Sequence, residues 1–479
     1  MPRKIFLFGL CVIALIFIVS EAIPEGMNIG GLVFRSPDYR KLLKKTETER
    51  YRDISEIIGF VDTLEIQIIH EVDTITDNDS IRLVLELELE RMRAENPFHA
   101  FEFPDGQDTL LFPFFRLINN TQSRNAPIRV LHYGDSQIEA DRITSAIRNY
   151  FQRNHGGRGI GFLPIVPIAD VAITFQRNVS SGWRRFSILE RGAERLETNN
   201  FGISGNFVRY FPANENDTVA RIGILPYYDG YRNAQTFTDV RLFYGQSQFP
   251  LTAIVNRADT LTYSTRNTVS SARWRFEAPQ NTFDLLLASS DMPDIYGIAL
   301  DGERGVAVDN LPLRGSSGLD FSRIDTEQMR QMLRIMDVEM LILQFGANVL
   351  TAHSGNYDYY SRMFARQLQF LKSLKPGLAI IVVGVGDISQ NTPDGYVSHP
   401  DVVRIRDVQK RAAFETGCVF WDLYEAMGGE NSMPSWVFAQ PPLAQRDFMH
   451  FTISGARIAG DLFCRALAAE YQKFTILAR

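Results

Sequence analysis

The stretch from Ile128 to Arg142 reads Ile-Arg-Val-Leu-His-Tyr-Gly-Asp-Ser-Gln-Ile-Glu-Ala-Asp-Arg and sets a serine between two different periodicities. Val130 and Leu131 close an apolar run, Gly134 and Asp135 break it, and Ile138 to Phe151 follows with helical spacing. At such a strand-to-helix turn a hydroxyl projects from the carboxyl edge of a parallel sheet. The following helix would offer unpaired backbone N–H groups and the positive end of its dipole to an oxyanion formed beside Ser136. Gly-Asp-Ser also makes ordinary turns and helix caps, so this segment alone supports either reading.

Three further short motifs sit where strands end. Leu313-Arg314-Gly315-Ser316-Ser317-Gly318, Gln344-Phe345-Gly346-Ala347-Asn348 and Asp447-Phe448-Met449-His450 supply backbone donors, a side-chain amide, a carboxylate and an imidazole. Taken singly, Gly315 could be a backbone bend, Asn348 a turn residue, and Asp447 with His450 a helix-capping pair. Together they carry the parts of nucleophilic acyl chemistry. A serine hydroxyl becomes a useful nucleophile when a base accepts its proton, and an imidazole base needs a carboxylate to fix its tautomer.

In this order the four blocks resemble the SGNH (GDSL) hydrolase family: a Gly-Asp-Ser block, a glycine block, a Gly-x-Asn block and an Asp-x-x-His block. The resemblance covers Ile128 to about His155 and Ile295 to the carboxyl terminus. It implies that Ser136 is the nucleophile and its N–H the first oxyanion donor, that Gly315 supplies the second (Gly318 being the neighbouring alternative), and that Asn348 supplies the third. It implies His450 as general base and Asp447 as the carboxylate that orients it. Val349 departs from the pattern, because many members carry aspartate there; the expected consequence is an altered local hydrogen-bond network, not loss of acyl chemistry.

The elements that must position these residues can be read from periodicity. Helical spacing at Arg323 to Met336, Tyr357 to Leu374, Val402 to Glu415 and Ser454 to Tyr471 alternates with apolar strands at Met340 to Gln344, Leu378 to Val385 and Cys418 to Leu423. Such alternation predicts a parallel sheet covered on both faces, with its site at the strands' carboxyl ends. The resemblance sharpens this to a flavodoxin-like three-layer α/β/α domain. From about Val166 to Tyr296 the pattern changes to short β-rich pieces, among them Arg221 to Leu225, Asp239 to Tyr244, Ser271 to Phe276 and Phe283 to Ala288. That region reads as an inserted β-sandwich. The Gly156-Gly157-Arg158-Gly159-Ile160-Gly161 run before it suits a tight loop; it lacks the Lys-Ser or Lys-Thr of a phosphate loop. Phe101 to Asn120, rich in phenylalanine, reads as a packing segment leading into the core.

Composition bounds the function. The chain has 479 residues, 45% of them hydrophobic and 22% charged, with a net charge of −6. It can bury more than one core, and its acidity argues against a nucleic-acid partner. Arg3 and Lys4, an apolar run from Ile5 to Val19, then Ser20-Glu21-Ala22 form the order of a secretory signal, an uncleaved membrane anchor being the other reading. Charge-rich Ser36 to Met92, with Ile81 to Met92 alternating leucine and charge, reads as a stalk. The mature part holds two cysteines, Cys418 and Cys464, read as small buried apolar residues, and its scattered histidines form no metal-ligand spacing; no metal or cofactor is expected.

The expected organisation is therefore a leader or anchor over 1–22, a stalk over 23–100, a hydrolase domain in two parts over 101–165 and 297–479, and an insert over 166–296. A Gly-Asp-Ser sheet interrupted in this way on an exported chain resembles bacterial peptidoglycan O-acetylesterases, whose insert is a carbohydrate-binding-like module. That resemblance implies a serine esterase of the periplasm or cell envelope acting on an acetylated glycan. An O-acetyltransferase using the same acyl-serine and a non-catalytic glycan-binding protein are the alternatives that the sequence leaves open.

Overall fold

The computed structural model describes residues 51–62, 100–167, 174–190, 198–212, 219–227, 230–352, 355–393 and 395–477, with isolated positions and two short strands elsewhere. The chain divides into two units, Met1–Tyr51 and Arg52–Arg479. Within the first, Met27–Ile29 and Leu32–Phe34 pair as an antiparallel hairpin. Apart from isolated positions, the expected leader and most of the expected stalk, including Ile81 to Met92, lie outside the described residues. No helix among the described residues is long and apolar enough to cross a membrane.

The second unit is built on one six-stranded sheet. Its strands and covering helices are, in chain order, β1 (Phe101–Glu102), α1 (Phe112–Ile118), β2 (Ile128–Gly134), α2 (Thr144–His155), β3 (Val306–Pro312), α3 (Thr326–Ile335), β4 (Val338–Gln344), α4 (Tyr357–Leu374), β5 (Ala379–Val383), α5 (Val402–Glu415), β6 (Val419–Trp421) and α6 (Ile453–Leu477). The sheet order is β3-β2-β4-β5-β6-β1, parallel throughout except for β1 against β6. The order reverses at β2, where chain connections leave in opposite directions and open a crevice at the strands' carboxyl ends. Ser136 stands there.

Strand periodicity sorts the side chains into two cores. Leu131 and Tyr133 of β2, Leu341 and Leu343 of β4, and Ile380 and Val382 of β5 pack with α3, α4 and α5. Val130 of β2, Met340 and Ile342 of β4, and Ile381 and Val383 of β5 pack with α1, α2 and α6. Alternate residues facing opposite layers is the pleat's period of two, and it makes each of these strands a near-continuous apolar run. The phenylalanine segment belongs to the second core, with Phe112, Phe114 and Phe115 buried. Cys418 and Cys464 are buried free thiols, one in each core.

Between β2 with α2 and β3 the chain forms two antiparallel sheets. One has six strands, Ser270–Gln280, Phe237–Tyr244, Ile295–Asp301, Asn206–Tyr210 and Trp183–Ser187 in that order, with Gly161–Leu163 added against Ile295–Asp301. The other has five, in the order Asp259–Tyr263, Leu251–Val255, Phe283–Ala288, Val219–Pro226 and Phe175–Val179. Val240, Leu242, Ile298 and Leu300 of the first sheet share one buried cluster with Ile222, Ile224, Leu285 and Leu287 of the second. The opposite face of the first sheet, through Phe243, Phe162 and Ala299, joins the core that contains Leu131 and Tyr133.

Several expectations are corrected. The resemblance to the hydrolases resumes at Ile295, yet Ile295–Asp301 lies in an antiparallel sheet. It is buried on both faces, and such a strand has the same apolar signature as a parallel one. The two sheets thus extend from Gly161 to Asp301, beyond 166–296 on both sides. The glycine run is tight because a backbone carbonyl and a carboxylate approach it closely. A Cβ on Gly159 would sit 2.0 Å from the Leu300 carbonyl oxygen, and one on Gly161 would sit 2.2 Å from Asp309 Oδ1. Part of the expected stalk is also core: Ile54 is buried, Ile57 and Ile58 pack beside it, and Ser435 Oγ donates to the Arg52 carbonyl at 2.6 Å. The apolar spacing Ile54, Ile57, Ile58 gives the helix Ser55–Asp62 one sticky face that its charges obscure in the sequence.

Candidate active site

β2 ends on Gly134 because nothing larger fits: a Cβ there would lie 2.8 Å from the Gln344 carbonyl oxygen of β4. The adjoining strand ends are tied by backbone bonds, Leu313 N–H to Gly134 O at 2.7 Å and Asp135 N–H to Gln344 O at 3.2 Å. The loops carrying Ser136, Gly315 and Asn348 therefore leave from three neighbouring strands, β2, β3 and β4. The segment after the serine differs from expectation. It is 3-10 over Ser136–Asp141 and kinked, with Ala140 and Asp141 at φ 56° and 64°, and α2 begins only at Thr144. No α-helix starts at Ile138, so the immediate donors beside Ser136 are those of a tight turn and not of a long dipole.

His450 Nε2 lies 2.8 Å from Ser136 Oγ, and His450 Nδ1 lies 2.7 Å from Asp447 Oδ2. A carboxylate can only accept, so Nδ1 carries the ring proton and Nε2 is left to accept from the serine hydroxyl. Asp447 Oδ1 also accepts the backbone N–H groups of Met449 and His450, each at 3.0 Å. Partial burial works to raise the Asp447 carboxyl. The N–H of His450, its ring and the N–H of Met449 outweigh that effect and hold the carboxyl below its usual range.

The loop that delivers this pair is held in an uncommon shape. Phe448 adopts φ 58°, a conformation a bulky side chain avoids. Its ring stacks on Tyr396 with centroids 3.5 Å apart, and its carbonyl accepts Ser389 N–H at 3.1 Å. Both partners belong to the hairpin Ser389–Thr392 and Gly395–Ser398, which braces the loop from outside. Gln445 N–H to His450 O at 2.7 Å closes it from within.

Among the described residues the amide N–H groups of Ser136 and Gly315 have no acceptor. Gly318 N–H, by contrast, donates to Ser316 Oγ at 2.9 Å and is buried, which separates the two glycines that the sequence leaves open. Asn348 Nδ2 donates one hydrogen to the Ser316 carbonyl at 3.1 Å, which orients the amide and leaves its second hydrogen. Val349 is fully buried in the core beside β4, so its departure from the family pattern places a methyl-bearing side chain in an apolar setting.

Three side chains around the nucleophile were assigned no role from the sequence, Asp135 of the Gly-Asp-Ser block among them. Asp135 is fully buried and accepts the N–H of Gln137 at 3.0 Å; burial pushes its carboxyl up to about 6, against the pull of the Gln137, Ala347 and Gly346 amides and the His450 ring. It thereby connects the serine turn to the residues just before Asn348. Arg142 donates to the carbonyls of Ser136 at 2.7 Å, Glu139 at 2.9 Å and Phe451 at 3.1 Å, fastening the nucleophile turn to the chain after His450. Gln137 Nε2 donates to the Met449 carbonyl at 2.7 Å. The Arg142–Phe451 and Gln137–Met449 bonds join residues 309 and 312 positions apart, and only the fold reveals them.

Comparison with protein-family models gave no match, and none of the curated proteins matched. Among solved structures, a peptidoglycan O-acetylesterase superposes with a TM-score of 0.59 over 77% of this chain and 97% of its own, at 18% identity. An acetyl xylan esterase covers 34% of this chain and 81% of its own at 14% identity and a TM-score of 0.27. The acetylxylan esterase Axe2 from Geobacillus stearothermophilus covers 34% and 74% at 19% identity and a TM-score of 0.26. The first likeness shows a shared fold across nearly the whole of that protein; the other two scores are too low to carry an argument. In fold and in its four blocks the chain resembles the SGNH (GDSL) hydrolases.

Proposed function

We propose that the protein is an exported serine esterase that removes O-acetyl groups from carbohydrate through an acyl-serine intermediate. The observation that carries this reading is the unbroken line Ser136 Oγ, His450 Nε2, His450 Nδ1, Asp447 Oδ2, with links of 2.8 and 2.7 Å. Ser136 Oγ attacks the ester carbonyl carbon while its proton passes to His450 Nε2, and the carbonyl electron pair moves onto oxygen. The N–H groups of Ser136 and Gly315 and the Asn348 amide stabilise that oxyanion; one such donor is worth about 3 kcal/mol. The tetrahedral centre collapses, the carbon–oxygen bond to the sugar breaks, and the proton on Nε2 goes to the departing alcohol. Water then attacks the acyl-serine, giving its proton to Nε2; the acyl–Oγ bond breaks, Oγ takes the proton back, and acetate leaves.

In this reading the two antiparallel sheets form the inserted carbohydrate-binding-like sandwich, Asp447 orients the base, and the leader sends the chain to the periplasm or cell envelope, cleaved or as an anchor. The substrate is an acetylated glycan of that compartment, as the name of the fold relative suggests by analogy. The test is acetate release from O-acetylated peptidoglycan and from acetylated plant polysaccharide, side by side, with wild type and Ser136→Ala. Serine-dependent release from either supports the esterase. Acetyl transfer to an added sugar acceptor in preference to water would make it an O-acetyltransferase, and glycan binding with no serine-dependent chemistry would make it a binding protein.

A further inference from the structure

Arg314 is the residue before Gly315, on the loop that leaves β3, and its side chain is 63% exposed. Its Nε lies 3.5 Å from Oε1 of Glu139, a carboxylate only 10% exposed that follows Ser136 by three positions. The pair therefore bridges the nucleophile loop and the oxyanion-glycine loop. Arg314 also lies close enough to Arg142 for the two positive charges to act on one another, and Arg142 is hydrogen-bonded to the Ser136 carbonyl at 2.7 Å. The Glu139 contact sets the Arg314 side chain between the turn that carries Ser136 and the loop that carries Gly315. The two cations differ in availability: Arg142 is committed to three backbone carbonyls, whereas Arg314 has no hydrogen-bond acceptor among the described residues. Glu139 faces the Nε edge and leaves the terminal nitrogens, the planar fork that suits a carboxylate.

We infer that Arg314 is a specificity-determining residue which binds a carboxylate carried by the glycan close to the scissile ester. The inference rests on the proposed esterase reading and narrows it from acetylated glycans in general to acidic ones. A free lactyl carboxylate on a muramyl sugar and the carboxylate of a uronic acid offer the same chemistry at comparable reach. A neutral acetylated sugar would leave the guanidinium solvated and gain nothing from it. Because Glu139 partly offsets the charge, recognition depends on the fork's geometry as well as on attraction, so lysine at this position should be an incomplete substitute.

The test separates binding from chemistry. In a Ser136→Ala background, calorimetry compares Ser136→Ala with the double variants carrying Arg314→Gln and Arg314→Lys. The ligands are peptide-free O-acetylated muramyl oligosaccharide, O-acetylated uronic-acid oligosaccharide, and each after methyl esterification of its carboxylate. The expected result is a Kd about tenfold to hundredfold higher with Arg314→Gln for at least one acidic ligand, a smaller rise with Arg314→Lys, and no change for the methyl esters. The ligand that responds identifies the source of the carboxylate. Equal Kd values across the three proteins for both acidic ligands, or an equal rise for acidic and esterified forms, would overturn the inference. Wild-type turnover of p-nitrophenyl acetate, a neutral ester, reports separately on whether the site is an esterase at all.

Discussion

Replacing Asp447 by asparagine isolates the part of the site that fixes the proton on His450. The new amide keeps an oxygen able to accept the Met449 and His450 N–H groups that Asp447 Oδ1 accepts at 3.0 Å, so the loop is preserved. Its NH2, however, faces His450 Nδ1 where a carboxylate oxygen now stands at 2.7 Å. Nδ1 must then accept, the ring proton moves to Nε2, and Nε2 presents a donor to Ser136 Oγ in place of a lone pair. Loss of the charged hydrogen bond alone is worth about 1.5–3 kcal/mol. The wrong tautomer extends the loss towards about 10⁴-fold, or ~5 kcal/mol. The Asp447 side chain is 45% exposed, so water partly substitutes and about 10³-fold is the expected fall in kcat. The assay is hydrolysis of p-nitrophenyl acetate alongside thermal unfolding. A variant with unchanged Tm and kcat within about tenfold of wild type would refute the tautomer argument.

Asn348→Ala should lower kcat by about 10²-fold with little effect on KM if, as proposed, its amide acts on the developing oxyanion; a change confined to KM would move Asn348 to ground-state binding. Arg129 Nη1 holds Asp309 Oδ1 at 2.6 Å and Nη2 holds Asp301, all buried, joining the central sheet to the six-stranded antiparallel one. Arg129→Met should cost about 3–5 kcal/mol in denaturant unfolding, and adding Asp301→Asn with Asp309→Asn should recover part of it; no loss in the single variant would contradict a buried ionic tie. Asp135 is raised to about 6 from 3.8 by burial, so its protonated form favours folding below about pH 4, and that contribution disappears as pH rises through about 6. The stability of Asp135→Asn relative to wild type should therefore increase between about pH 4 and 6, by about 3 kcal/mol, and stay level above; a flat difference across that range would show that the group titrates normally.

The four blocks named Ser136, Gly315, Asn348, Asp447 and His450, and the structure places Ser136, His450 and Asp447 in one hydrogen-bonded line. Helices α4 and α5 fall on the expected residues because each has an apolar stripe of clear period and follows a polar residue, Asn356 or Asp401. The turn after Ser136 was illegible, since Ala140 and Asp141 adopt left-handed backbone without a glycine to signal it. Ile295–Asp301 misled because burial on both faces erases alternation, and Ile54 to Ile58 misled because surrounding charge masks a short apolar stripe. The Arg142 and Arg129 networks depend on contacts made only after the chain has folded, and no local pattern encodes them.

The central claim is that Ser136 becomes acylated. Purified wild type and Ser136→Ala would be mixed briefly with O-acetylated glycan or p-nitrophenyl acetate, quenched in acid and digested for mass spectrometry. The account predicts one acetyl group on the peptide containing Ser136 in wild type and none in the variant. Acetate released at the wild-type rate by Ser136→Ala, or acetyl transfer to any other side chain with Ser136 unmodified, would contradict it.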